Sequence, residues 1–263
     1  MSFGLGACND DERPAEKPAG AKAVTTVGLY KAGEGKFYIR NSNAAGNADI
    51  AFTYGPTGQK LTPVAGDWDG DGIAGVGLYN PATAAWYLKN STTDGNADYT
   101  FPFGPAGQGL LPVAGDWDGD KKDSVGLYDP AKGIWYLKNS IVGGNTDATF
   151  SFGPANAGWL PVAGDWDGDG KDSIGLYDPT KGTWYLKNAN ASGKADATFL
   201  FGAAGAGWLP LAGDWDGDGK DTVGLYDAAK GSVFLKNSTS DGNADMVFLL
   251  GPGDARPIAG HWK

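Results

Sequence analysis

Residues 164–179 read "GDWDGDGKDSIGLYDP", an acidic loop that runs straight into an apolar segment. Asp165, Asp167, Asp169 and Asp172 fall within eight positions, and carboxylates so close together repel unless amides, water or a cation relieve them. The stretch recurs. Its "VGLY" or "IGLY" core places Gly28, Gly77, Gly126, Gly175 and Gly224 at equal steps of 49 residues, five copies without a slip. A fixed period outranks local propensity as a fold signal, because each unit then buries its apolar face against the next.

In the fourth copy the runs "LPVAGDW", "DSIGLYD", "TWYLKNA" and "ADATFLFG" are short and are divided by Gly, Pro, Asp and Asn clusters, the pattern of strands joined by turns. Trp184 and Leu186 alternate with Tyr185 and Lys187, and Phe199 and Phe201 share a face, as period-two packing requires. Four strands in a unit of this length predict a propeller blade. Five units therefore predict an all-β, five-bladed β-propeller. The ends complement one another: the first copy starts at "TTVGLY" without its leading strand, and the chain finishes in "RPIAGHWK". Pairing residues 257–262 beside residues 25–30 closes the ring one-plus-three and removes an open edge. "PVAGDW" is the expected innermost strand, where Ala163 and Gly164 leave room for converging blades.

Composition agrees with a packed β fold. The 263 residues include 44 glycines and 10 tryptophans, and 41% are hydrophobic, enough aromatic surface to offset the entropy of ordering. A formal net charge of −10 argues against nucleic acid as a partner, since phosphate binding rests on clustered Lys and Arg. No apolar run approaches the roughly 18 residues of a membrane-spanning helix.

Cys8 is the single cysteine, so no internal disulfide is available. The preceding residues complete "LGAC", which resembles a bacterial lipobox, and the polar residues 9–22, with Pro14 and Pro18, suit a tether. Seven residues before Cys8 are fewer than a basic region plus an apolar region of about 7–15 residues need, so a working signal is expected to start upstream. The alternative is a chance cysteine in a polar terminus. On the lipobox reading, residues 1–22 tether one propeller domain, residues 23–263, outside the cytoplasm as a secreted or lipid-anchored monomer. Cys8 is then the expected lipidation site and the only membrane contact.

Residues 152–179, "FGPANAGWLPVAGDWDGDGKDSIGLYDP", are similar to the FG-GAP type repeats of integrin α-subunit propellers and their bacterial relatives, with Phe152 and Gly153 ahead of the acidic loop and a Gly-to-Pro segment after it. The resemblance covers most of the chain. It implies a propeller with calcium-binding hairpin loops and identifies no ligand.

The residue types support calcium independently. Calcium takes six to eight oxygen ligands, and Asp at alternate positions of a turning loop points several inward, with glycine at position six and a carbonyl from position seven. Asp165, Asp167, Asp169, Gly170 and Lys171 fit this spacing, as do Asp214, Asp216, Asp218, Gly219 and Lys220. The FG-GAP resemblance implies a closing acid at position nine, where Ser173 or Thr222 stands; the acid comes one place earlier, as Asp172 or Asp221. The competing expectation is a metal-free scaffold whose carboxylates cap turn amides. Asp67, Asp69 and Asp71 lack the later acid, Asp116, Asp118 and Asp120 are followed by Lys121 in place of glycine, and His261 occupies the terminal copy. Two to four calcium sites are expected, with the Lys121 loop compromised.

Catalysis finds less support. A propeller glycosidase needs two carboxylates in different environments, whereas these acids repeat almost identically. His261 is the single histidine and lies beside the C-terminus. The expected function is a non-enzymatic binding or adhesion module, its ligand a carbohydrate or a protein. Trp159 and Trp208 are the candidate ligand contacts, because the copies differ there: Leu110 replaces them in one unit and Lys60 is aligned with them in another. An exposed indole stacks on a sugar face; packing over the blade edge is the alternative. The recurring Lys-Asn pair, as at Lys138-Asn139, either ends a strand or lines one rim.

Overall fold

The computed structural model describes residues 23–251 and 253–263, and every regular element among them is a strand. Each 49-residue unit makes one antiparallel sheet. In blade 4, Leu160–Gly164, Ser173–Asp178, Thr183–Leu186 and Ala197–Leu200 pair in chain order. Five such sheets form a five-bladed propeller. Blade 1 is assembled from both ends of the described chain: Arg256–Gly260 lies antiparallel to Thr26–Lys31, with Thr26 opposite Gly260 and Tyr30 opposite Arg256. The expected one-plus-three closure is therefore present.

The first strand of every blade adjoins the first strands of both neighbouring blades, so these five strands make the inner ring. They stop at the glycine and do not run on through Asp165 and Trp166 as the sequence predicts, because the aspartate already begins the next loop. Gly164 sits where the ring is tight: a Cβ there would fall 2.9 Å from the Cβ of Asp221 in blade 5 and 3.0 Å from the ring of Trp166. Side-chain-free backbone is the condition for this close approach.

The core lies between blades. Trp184, Phe199 and Phe201 of blade 4 pack with Val223 and Leu225 of blade 5, and burying each such side chain contributes roughly 1.5–3 kcal/mol. The indole of Trp184 also donates to the Phe201 carbonyl at 2.9 Å, as Trp135 does to Phe152 at 3.0 Å, which satisfies a polar group that burial would otherwise penalise. Outer strands are guarded by the next blade. The N–H groups of Thr53, Ser151 and Leu200 donate to Asp94, Ser192 and Asp241, while Pro102, which has no N–H, faces Gly143. Capping in this way blunts a pairing edge.

Closure by the last strand has a direct consequence. Deleting residues 256–263 strips the inner strand from blade 1, and we expect a lower melting temperature together with aggregation on size-exclusion chromatography. A truncated chain that melts with the parent and stays monomeric would contradict the shared blade.

Candidate functional site

Each acidic loop follows an inner strand, so the loops gather at one end of the ring. The carboxylates of Asp165, Asp167 and Asp169 each place an oxygen within 4.8 Å of the others, as do Asp67, Asp69 and Asp71, Asp116, Asp118 and Asp120, and Asp214, Asp216 and Asp218. Backbone amides already serve them. Asp165 accepts from Gly168 and Asp169 on one oxygen, at 2.7 and 3.0 Å, and from Gly170 on the other at 2.9 Å. Asp169 and Asp218 accept the N–H groups of Lys171 and Lys220, at 2.9 and 2.8 Å. The oxygen-only donor set suits a hard cation, and the same loops also satisfy the Asx-turn description.

The lysine at position seven spans to the neighbour. The stem of Lys171 crosses Gly119 of the preceding blade so closely that a Cβ on that glycine would fall 3.0 Å from Cε; Lys220 crosses Gly168 and Lys122 crosses Gly70 in the same manner. A lysine stem from the next blade thus packs against a glycine in three of the four acidic loops. For the loop of Asp214 the equivalent residue is Val24, and there desolvation, reinforced by Asp218 and Asp214, holds the Asp216 carboxyl above the usual range.

Asp172 and Asp221 do not join the triplets of their own loops. Each turns to the preceding blade, where the Asp172 carboxylate accepts the Asp116 N–H at 2.9 Å while its own N–H donates to the Asp116 carbonyl at 2.8 Å. Asp221 and Asp165 repeat this reciprocal pair, and so do Asp123 and Asp67. Thr25 and Asp214 make it with a hydroxyl as acceptor, and at the fifth interface Ala74 donates to the His261 carbonyl. Of the two expectations for the acid at position eight, an adjusted cation shell or the capping of amides, the hydrogen bonds show amide capping, and the amide belongs to the preceding blade. The expectation that Lys121 compromises its loop changes. Lys121 adopts the left-handed conformation of the glycine it replaces, with φ of 70°, and its N–H reaches Asp116 at 2.7 Å, so that loop keeps the common geometry.

Three clamp acids encircle the axis. Burial first, and then repulsion from Asp67, Asp116 and Asp221, pushes Asp123 up to about 7 against the stabilising Asp67 amide. Asp172 is held well above the ordinary range, by burial first and then by Asp123 and Asp221. Both residues keep some accessible surface, yet protein packs densely around their carboxyls.

The clefts between blades are the other shared feature. Trp159 stacks on Tyr185 with centroids 4.4 Å apart, and Trp208 on Phe234 at 4.5 Å, each indole half-buried over the third strand of its own blade. The equivalent residues are Leu110 and Leu61, both buried; the register places Leu61 there and not Lys60. Beside Trp208 lies a cleft of about 510 Å³ whose lip is the turn Gly242, Asn243 and Ala244. The matching cleft beside Tyr87, of about 300 Å³, has Gly95, Asn96 and Ala97, and a third of about 650 Å³ beside Tyr38 has Gly46, Asn47 and Ala48.

Lys89 and Lys236 hold the lips beside Tyr87 and Trp208 by donating to the Asn96 and Asn243 carbonyls, and Arg40 holds the lip beside Tyr38 through the Asn47 carbonyl; blades 3 and 4 repeat the lysine anchor. Buried Lys138 and Lys187 donate to loop carbonyls seven residues on, and the Asn139 and Asn188 N–H groups are accepted by Asp147 and Asp196. The pair therefore ends a strand and anchors a turn. The strand end was expected from the sequence; the clamp and the acceptors of the pair were not, although the Asp eight residues after each Asn, as in "GNAD" at 46–49, carried the second signal. Cys8 lies outside the described residues. No protein-family model matches the chain, and no curated protein matches it.

Two outcomes follow. The native fold binds more protons than the unfolded chain between the ordinary Asp value and about 7, so the clamp contribution to stability falls as pH rises through that window and the cost is complete above it. Asp123→Asn keeps an acceptor without the charge. Measured in chelator, it should raise stability at pH 8 by roughly 2–4 kcal/mol and have little effect near pH 4; an equal effect at both values would contradict the assignment. Lys121→Gly should stabilise by up to about 1 kcal/mol, since the left-handed strain removed exceeds the added chain entropy. A loss of stability in denaturant unfolding would count against this balance.

Proposed function

We propose that the chain is a non-enzymatic carbohydrate-binding module that presents aromatic-walled clefts around a rigid ring, with calcium bracing its acidic loops. One observation carries this reading: three inter-blade clefts repeat the same wall and the same Gly-Asn-Ala lip. Several similar shallow sites suit multivalent capture, where avidity accumulates without any single tight contact. A pyranose lays its C–H face on an aromatic ring, and on this reading its hydroxyls meet the polar lip. The FG-GAP resemblance agrees with an adhesive role. A glycosidase would require an acid and a base in different settings, and the axial acids are instead matched acceptors in equivalent clamps. The same reading locates the module outside the cytoplasm, secreted or held by a lipid on Cys8.

A glycan array separates the ligand classes. We expect saturable retention that falls at least tenfold for Trp208→Ala combined with Tyr87→Ala; retention of protein ligands with no glycan bound would select protein adhesion instead.

Calcium has its own test. A cation that binds only the folded loops stabilises by about 2.7 kcal/mol per site at a hundredfold excess over its dissociation constant. Chelator should lower the melting temperature, calcium should restore it better than magnesium, and Asp165→Ala with Asp214→Ala should remove most of the response. Equal melting temperatures in chelator and in millimolar calcium, at matched ionic strength, would leave the metal-free Asx scaffold.

A further inference from the structure

The departures from fivefold repetition converge on one cleft. The connection from blade 5 into blade 1 is two residues shorter than its counterparts, and Ala255 stands immediately before the inner strand, where the other blades have Leu61, Leu110, Trp159 and Trp208. Tyr38 occupies the place of Tyr185 and Phe234, so its ring has methyl where those rings have an indole or a larger side chain. The space that results is the 650 Å³ cleft, floored by Leu29, Leu250 and Ala255 and walled by Tyr38.

Its polar rim is also singular. Blades 3, 4 and 5 carry an acid followed three residues later by lysine, the pairs Asp129–Lys132, Asp178–Lys181 and Asp227–Lys230. Blade 1 reverses the order. Lys31 pairs with Glu34 at 2.6 Å, Tyr38 donates its hydroxyl to the same carboxylate, and all three side chains line the cleft.

We propose that this seam cleft is a specific binding site for one hexopyranose residue of a glycan, stacked on Tyr38 in the position that Trp159 and Trp208 fill elsewhere. The protein supplies its own template for the occupant. In blades 4 and 5 a flat ring lies nearly parallel to the equivalent aromatic, at 9° and 13°. The rim then chooses among flat rings. A carboxylate beside an ammonium offers an acceptor and donors to adjacent hydroxyls, which a pyranose has and an indole lacks. A volume of this size leaves room for a second sugar. The inference deepens the carbohydrate reading and rests on it: the seam is the one cleft that holds a free monosaccharide, while the other clefts add avidity on a multivalent surface.

The test is a titration of the full chain, followed by calorimetry, with the methyl glycosides of glucose, galactose, mannose and N-acetylglucosamine and with 3-methylindole as the aromatic control. We expect one glycoside to bind with a stoichiometry of one. Ala255→Trp, which installs the neighbouring indole, should weaken it at least tenfold with no fall in melting temperature. Tyr38→Ala and Glu34→Gln should each weaken it at least fivefold, which covers the case in which the added indole disturbs folding. Binding to several equivalent sites that persists in Ala255→Trp would overturn the seam proposal and leave the multivalent reading intact. Tighter binding of 3-methylindole than of every glycoside would overturn the sugar assignment, and no glycoside binding at any site would remove both.

Discussion

The ring depends on a hydrogen-bond pair that joins the loop of one blade to the start of the second strand in the next. Four of the five interfaces make it reciprocally, with a side-chain oxygen accepting the N–H of the first loop residue and a backbone N–H returned to its carbonyl. Two amides per interface that would otherwise be orphaned at a crowded axis are satisfied. The loops themselves hang from these anchors, so the position of every acidic triplet follows from the clamp.

That solution places charge where charge is unwelcome. Asp123, Asp172 and Asp221 bring three carboxylates to the same end of the channel, and burial together with mutual repulsion raises Asp123 and Asp172. Thr25 and Ala74 occupy the remaining two positions without charge. A ring of five acids would multiply the repulsion; two neutral positions limit it. The triplets are eased by different means, through the amides of their own loops, while lysine stems from the next blade pack over the loop glycines. Four carboxylates in eight residues thus divide into a set of three and a single clamp that belongs to the neighbouring interface.

Repetition and its failures carry different information. Where the copies agree, the residues build blades: buried Trp86, Trp135 and Trp184, the Lys-Asn anchors and the glycine of the inner strand. Where they disagree, the surface changes character. Indoles stand at this place in two blades, leucines in two others, and an alanine at the seam. Function in a repeat protein concentrates at such departures, since packing constrains the matching positions and leaves the others free.

The propeller, its blade count and its closure were legible in the sequence, because a strict 49-residue period with complementary ends admits few ways to bury every blade face. So was the convergence of each aspartate triplet, which is local to one turn. The partner of Asp172 was not legible. Sequence spacing ties it to Asp169, three residues away, whereas the hydrogen bond joins it to Asp116, 56 residues earlier in the chain. Nor did the copies of Trp159 announce that the indole would lie on Tyr185 of its own blade, or that Ala255 would open a cleft beside Tyr38. Local chemistry and periodicity determine which elements form; the contacts between blades arise only when the ring closes and brings distant residues to one interface.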